Sequence, residues 1–468
     1  MKPSPFWVVF FGVLASSQMR AVAQNPAGEG VQARVIHATV IDVLTGKELK
    51  DQTVRVQGGR IVSVSATEEQ DKGLADAIDA HGGFLIPGLW DMHVHVHDTQ
   101  ELPLYVANGV TGVRVMSGDK DEAGLRVELG RRSPSPAIYL ASAIVDGSSP
   151  MWPGSIVVKK AADARTTVDA IKASGADFIK VYDGVPRDAY FALAEEAKAQ
   201  HIDFEGHVPE AITAQEASAV GQRSIEHLTG IALACSKRQE DLMPAMQWAQ
   251  FFLAHLTIEA EGYRSFDEAK CQTLFGEFKR NDTWQVPTLT VSRMRGHLDD
   301  SKVISDPRLA YVDRKSRGRW EDRTLPQKRR WNESHYAMAR GVFSAEEHIV
   351  GGMYRTGVPL MAGTDAMNPY CFPGFSLHDE LVLLVEAGLP PIAALQAATI
   401  NPARFMRRTA DLGTIEAGKE ADMVLLRADP LADIHNTKQI EAVWLHGQYF
   451  DRVALDGLLE AAKKEAKH

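Results

Sequence analysis

The sequence predicts an α/β protein: a (β/α)8 TIM barrel with a small β-sandwich domain built from both chain ends. Three observations carry this. Between residues 84 and 407, eight strand-like runs alternate with amphipathic helical segments. Such alternation favours parallel strands joined by crossover helices, and eight repeats can close a barrel. Short β-branched runs with alternating polarity sit at both ends of the chain, where neither set suffices for a sandwich alone. No Gly-x-Gly-x-x-Gly follows any of the strands, which weighs against an open nucleotide-binding sheet.

Taken in order, residues 1–23 read as a signal peptide. Lys2 is the basic start, Phe6 to Ala15 the apolar run, and Ala21-Val-Ala23 a small-x-small cleavage site. The apolar run is shorter than the roughly 20 residues a membrane span needs. Export to the periplasm or the medium is therefore expected, with no membrane attachment after cleavage. Residues 24–83 and 408–450 form the composite β-sandwich. Its strands include Ala33–Asp42, Thr53–Gln57 and Arg60–Ser65 at one end, and Ala421–Leu426 and Ile440–Leu445 at the other.

The barrel strands are expected at Phe84–Val96, Thr111–Met116, Ala137–Val145, Phe178–Tyr182, Asp203–Val208, Ser224–Leu228, Thr283–Val291 and Pro359–Asp365. Helical insertions are expected at 231–282 and 292–350, where long polar stretches follow the sixth and seventh strands and can wall a pocket. Residues 451–468 read as a helical tail. Pro87-Gly88 marks the join between sandwich and barrel.

The chain has 468 residues, 45% of them hydrophobic, which suffices for a large core. Net charge is −10, unlike the clustered basic footprint of a nucleic-acid binder. The one basic run, Arg314 to Arg330, is interleaved with Glu321 and Asp322 and follows Asp313; it reads as a solvated helical face, with anion binding the lesser alternative. Of the three cysteines, Cys235 and Cys271 flank the first insertion and could form a disulfide, although sequence alone leaves the connectivity open.

Chemistry concentrates at strand ends, where barrel active sites gather. The first strand carries His93 and His95, which share one face because alternate strand residues do. Lys180 interrupts an otherwise apolar fourth strand. His207 ends the fifth, His227 the sixth and Asp365 the eighth. Singly, each is a weak signal; a strand-end Asp is more often a helix cap. Together they predict a metal centre of His93, His95, Lys180, His207, His227 and Asp365. Asp91 and His97 flank the first pair. Asp91 is expected to orient a ligand histidine from below. His97 lies at the mouth, as a supporting contact or a loop residue.

Pro87-Gly-Leu-Trp-Asp-Met-His93-Val-His95 resembles the opening motif of the amidohydrolase superfamily. Gly109-Val-Thr-Gly-Val-Arg114 is similar to its second strand, and Leu412 to Leu425 to its return to the sandwich. Ala398-Thr-Ile-Asn-Pro-Ala403 is similar to the imidazolonepropionase-like and prolidase-like branch of binuclear hydrolases. The resemblance covers nearly all of the mature chain. It implies two divalent metals, zinc being the first expectation, with His93, His95 and Asp365 on the more buried ion and His207 and His227 on the other. It also implies an N-carboxylated Lys180 bridging them. A free ammonium beside two cations would be disfavoured, and carboxylation makes it an anionic ligand.

The reaction implied is hydrolysis of an amide C–N bond by a hydroxide shared between the metals, with the catalytic Asp365 as general base and then acid. The expected substrate is a dipeptide or an N-acyl or aryl-acyl amino acid, including amides of the ochratoxin type. Alternatives are a hydrolase of cyclic amides or lactones, and a non-catalytic binding protein on the same scaffold. A substrate carboxylate would need a cationic or hydroxyl partner; Arg114, Tyr182, Arg293 and Arg295 are candidates. Trp152 is a candidate aromatic wall and His378 a candidate substrate contact. The third-strand region, Ala141 to Pro150, lacks the Gly-Gly-His of many relatives. A homo-oligomer is the expected assembly.

Overall fold

The computed structural model describes residues 33–71, 77–118, 122–131, 133–247 and 252–467. The expected signal peptide lies outside them. Both chain ends meet in one eight-stranded sheet. Its members are β1 (Ala33–Asp42), β2 (Lys47–Gln57), β3 (Arg60–Ala66), β4 (Ala77–Asp79) and β5 (Phe84–Pro87) from the first end. The far end adds Met423–Leu426, Ile440–Leu445 and Gln448–Asp451. β5 is the splice: it pairs with β1 on one side and antiparallel with Met423–Leu426 on the other. Hydrogen bonding therefore joins the two ends into one continuous sheet. The sheet still encloses a core of its own, in which Val35, Val54, Ile61 and Leu85 cluster with Met423, Leu425 and Trp444.

Gly88 ends β5, and the chain re-enters strand as β6 (Leu89–Val94). A Cβ at Gly88 would lie 2.1 Å from Thr111 Oγ1, so only glycine lets the chain pass there. From β6 the strands are parallel. β6 pairs with β7 (Val110–Val115), and β7 with β8 (Ala137–Leu140). Two short strands follow, β9 (Val145–Asp146) and β10 (Ile156–Val157). Then come β11 (Phe178–Val181), β12 (Asp203–Gly206), β13 (Ser224–Glu226) and β14 (Trp284–Val286), each paired with the next. Parallel bridges complete a circuit: Ala141 to Phe178, Gln285 to Leu360, and Ala366 back to Val94.

The eighth expected run, 359–365, is thus present in the circuit but only as bridges. Gly363 is pressed against β6, where an added Cβ would meet His93 Cβ at 2.8 Å. Asp365 then leaves extended geometry at φ +56°. The remaining pairing is made by single hydrogen bonds, Met92 N–H to Ala362 O at 2.9 Å and Asp365 N–H to His93 O at 2.8 Å.

The seventh strand is shorter than expected because a helix starts at Leu289. The carboxylate of Glu380 accepts from Leu289 N at 3.0 Å and Thr290 N at 2.8 Å. A carboxylate on those free amides stabilises a helix start. The second insertion consequently begins earlier than 292, and its last helix runs Glu333–Thr356. Both insertions are helical. The tail helix, Arg452–Glu465, is capped by Asp451, which accepts from Ala454 N at 2.8 Å. No helix among the described residues is long and apolar enough to cross a membrane.

Cys235 and Cys271 are bonded across 36 residues, closing the first insertion, and both are buried. A crosslink over such a loop stabilises by about 2–4 kcal/mol, largely by restricting the unfolded chain. Cys271→Ser should lower the denaturation midpoint correspondingly, and reduced wild type should match it in urea titrations. Cys371 is a buried free thiol.

Candidate functional site

Each strand-end residue of the predicted centre arrives at one point. His93 is fully buried on β6, and His95 follows on the same face, as strand periodicity requires. Lys180 lies buried within β11 and His207 directly after β12. His227 follows Glu226, and strict alternation would send the two to opposite faces. A φ of +56° at His227 turns the chain so that both point to the centre. Thr288 and Asp365 also adopt positive φ, so left-handed backbone gathers around this point.

The histidines share a pattern. Nδ1 of His93 bonds Glu226 Oε2 at 2.7 Å, and that of His95 bonds Ser117 Oγ at 2.9 Å. His207 Nδ1 bonds Asp183 Oδ1 at 2.7 Å, and His227 Nδ1 bonds Thr288 Oγ1 at 2.6 Å. Every Nδ1 is thereby tethered, which leaves Nε2 of each ring free for a ligand. Asp365 Oδ1 lies 3.1 Å from His95 Nε2 and 3.5 Å from His93 Nε2; its Oδ2 is 3.9 Å from His227 Nε2. The His207 and His227 rings are 5.0 Å apart, centre to centre.

The donors suit a divalent metal. His93 Nε2, Lys180 Nζ and Asp365 Oδ1 are buried with no hydrogen-bond partner, and buried polar atoms are rarely left so. Ligand atoms of His93, His95 and Asp365 lie within 4.8 Å of one another. Imidazole and carboxylate donors with tethered outer partners are the usual zinc-type set. Burial favours the neutral forms of the cationic groups: it pushes His93 to about 3 and Lys180 to about 8, and His227 well down. Burial works against ionisation of Asp365, but the fields of His227, His93 and His95 overcome it and hold the carboxyl well below its usual range.

Other predicted residues fall elsewhere. Asp91 does not reach an imidazole. Its carboxylate accepts from Thr364 N at 3.0 Å and Thr364 Oγ1 at 2.7 Å, and so holds the turn that presents Asp365. Arg114 cannot meet substrate, because it is fully buried beneath the centre. It donates to Glu205 Oε2 at 2.8 Å and Glu226 Oε1 at 2.7 Å. His378 is also buried and committed, bonding Thr437 Oγ1 and Asn108 O, each at 3.0 Å, to fix its helix to the terminal region.

Arg293 is exposed, and its charge acts on Glu347 rather than on the site. Arg295 stacks over Phe252 at 5.4 Å, where its charge acts on Glu259 and the buried Glu346 of the insertions. His97 is exposed at the rim, its ring stacked 6.5 Å from that of His95. Tyr182 does face the centre, its ring 4.2 Å from that of His207, and Trp152 Nε1 donates to Tyr182 Oη at 2.9 Å.

Several residues escaped the sequence reading. Glu226 offered a signal, being a carboxylate inside an apolar strand beside a predicted ligand. Ser117, Asp183 and Thr288 offered none beyond closeness to strand ends. Arg323 belongs to the run expected to be a solvated face, yet its guanidinium lies over the Trp152 ring at 5.0 Å and within the field of Asp365.

The profile of the Amidohydrolase family matches residues 84–449, most of the chain and all of the centre. The chain belongs to the amidohydrolase family. A similar relative is adenine deaminase 2 of Rhizobium meliloti (strain 1021), 27% identical over 430 residues, covering 88% of this chain and 56% of that one. Another is the imidazolonepropionase of Aromatoleum aromaticum, 41% identical over 99 residues, 20% of this chain and 23% of that one. The chain thus spans about half or less of these relatives' lengths.

Among solved structures, a bottromycin amidohydrolase superposes with a TM-score of 0.74 at 25% identity, covering 92% of this chain and 90% of that one. A Xaa-Pro dipeptidase with methionine bound in its active site superposes with a TM-score of 0.64 at 19% identity, covering 90% and 99%. Members of the amidohydrolase fold are therefore its structural neighbours.

Proposed function

We propose that this amidohydrolase is a metal-dependent hydrolase that cleaves a C–N amide bond in a dipeptide or an N-acyl or aryl-acyl amino acid. One observation carries the reading: tethered imidazoles leave their Nε2 atoms around a buried Lys180 Nζ and an Asp365 Oδ1 that faces the His93 and His95 Nε2 atoms, none of these buried atoms having a protein hydrogen bond of its own. His93, His95 and Asp365 would hold one divalent ion, His207 and His227 a second, with Lys180 between them. Burial lowers Lys180 to about 8, which raises its neutral-amine fraction. That amine can add to carbon dioxide and lose a proton, becoming an anionic oxygen ligand. When bound, divalent ions at these residues, zinc by donor type, would supply a nucleophile at neutral pH and polarise the scissile carbonyl.

Asp365 accepts the proton of the attacking water and returns it to the departing nitrogen. Tyr182 and Trp152 line the approach. In this reading the closed parallel circuit is a (β/α)8 barrel, and the curled terminal sheet is its companion sandwich. The apolar run at residues 6–15 and the Cys235–Cys271 bond support export to an oxidising compartment. A homo-oligomer acting on a small-molecule or peptide substrate completes the proposal.

The test is metal analysis together with a panel of Xaa-Pro dipeptides, N-acyl amino acids, lactones and imidazolones. About two divalent ions per chain, and amide cleavage lost on chelation and restored by zinc, are expected. Lys180→Ala should lose metal and activity together, with partial rescue by short-chain carboxylic acids. Cleavage confined to lactones or imidazolones would favour the cyclic-substrate alternative. A metal-free protein that hydrolyses nothing would favour a binding role.

A further inference from the structure

We infer that Arg323 and Tyr182 form an anion subsite that holds a carboxylate of the substrate beside the metal centre. This deepens the hydrolase reading and rests on it for the word substrate, but not for the binding itself. Arg323 lies in the helix Arg314–Arg330 of the second insertion. Elsewhere in that insertion Arg308 pairs with Asp306 and Asp379, and Arg340 with Asp299; Arg319 and Arg330 of the same helix, like Arg323, have no carboxylate partner among the described residues, but Arg323 is the one laid against the wall of the site. Arg323 has no hydrogen bond or ion pair among the described residues. Its contact is the Trp152 face, 5.0 Å from the ring centre. A guanidinium laid on an indole keeps its edge donors free while losing rotational freedom.

Trp152 is itself fixed, since its Nε1 donates to Tyr182 Oη at 2.9 Å. Tyr182 accepts that bond, and its own hydroxyl proton has no acceptor among the described residues. Tyr182 in turn packs on His207, ring centres 4.2 Å apart. A continuous wall therefore runs His207, Tyr182, Trp152, Arg323 from the metal centre to the insertion.

The fields around Arg323 agree with an accessible, uncompensated cation at the mouth. Arg323 is solvent-exposed; burial of part of the side chain weighs most on it and lowers its pKa, Asp365 is the strongest favourable charge acting on it, and Arg295 opposes. The wall presents two hydrogen-bond donors, one cationic and one neutral, with no carboxylate paired to either. A planar monoanion on the substrate's leaving side satisfies both.

The test compares N-benzoyl-L-phenylalanine with N-benzoylphenethylamine, which lacks only the carboxylate, in wild type, Arg323→Gln and Arg323→Lys. Losing one charged hydrogen-bond pair should raise KM for the carboxylate compound by about 10- to 100-fold in Arg323→Gln. The wild-type preference for it over the decarboxylated compound should collapse by the same factor, with kcat moving far less. Arg323→Lys should recover part of the preference. Arg330→Gln, a charge loss on the same helix, should retain it.

Calorimetric titration with L-phenylalanine and phenethylamine supplies a readout that needs no turnover. Weaker L-phenylalanine binding in Arg323→Gln, even without hydrolysis by wild type, would support the subsite and sink the hydrolase reading. An equal loss for both compounds of a pair, or no L-phenylalanine binding to wild type, would overturn the subsite.

Discussion

Asp365→Asn should lower kcat/KM at least about a thousandfold, because in the proposed mechanism one change removes both a metal ligand and the proton acceptor. The carboxylate sits 3.1 Å from His95 Nε2 and 3.5 Å from His93 Nε2. The substitution is unusually clean. Asp365 has φ +56°, and asparagine is among the few residues that tolerate this backbone. The turn is held from outside by Asp91 through Thr364, so it should survive the change. Thermal unfolding of the metal-free variant should match metal-free wild type within a few degrees. Steady-state rates on whichever panel amide the wild type cleaves, with metal content measured in parallel, check this. Retention of most of the wild-type rate would remove Asp365 from the reaction.

Arg114→Leu should cost about 3–5 kcal/mol of stability, the usual consequence of leaving a buried charge without its partner. Arg114 is completely buried between the Phe178 and Phe405 rings, 5.6 and 5.2 Å away. It serves two carboxylates. Burial raises Glu205 to about 8, so that group keeps its proton at neutral pH. Glu226 is also buried, but the Arg114 charge and the His93 contact hold it ionised. One cation thus balances one anion, with the second carboxyl neutral.

Without Arg114, Glu226 would lose the charge that keeps it ionised and oriented toward His93 Nδ1. Activity should therefore fall along with stability. Urea titrations of Arg114→Leu and of Arg114→Leu with Glu226→Gln decide the cause. The double variant should regain part of the lost stability, because its buried anion is gone. Equal midpoints for the two would show that charge balance is not what Arg114 supplies.

Both expectations depend on residues whose legibility in the sequence differed. Asp365, His207 and His227 were readable as strand-end polar residues, and Lys180 as a cation inside an apolar strand. Arg114 is equally visible, but its place beneath the centre is not. A basic residue on a barrel strand can face the centre from above or lie beneath it, and only the partners Glu205 and Glu226 distinguish these. His378 failed likewise, because its acceptor Asn108 lies 270 residues away.

The sequence by itself determined the alternation of strands and helices, the share of the terminal sheet owed to each end, and the convergent set of metal-type donors. These follow from local rules: a period of two along a strand, turn residues at its ends, and polar side chains at otherwise apolar positions. Tertiary structure alone decided the rest. It joined the ends through β5 into one sheet, reduced the 359–365 run to bridges under the pressure of Gly363 on β6, and assigned each imidazole its tether. It also folded a basic helix back so that Arg323 lies on Trp152. Contacts of that kind join residues far apart in the chain, and no local periodicity encodes which distant partner a side chain will meet.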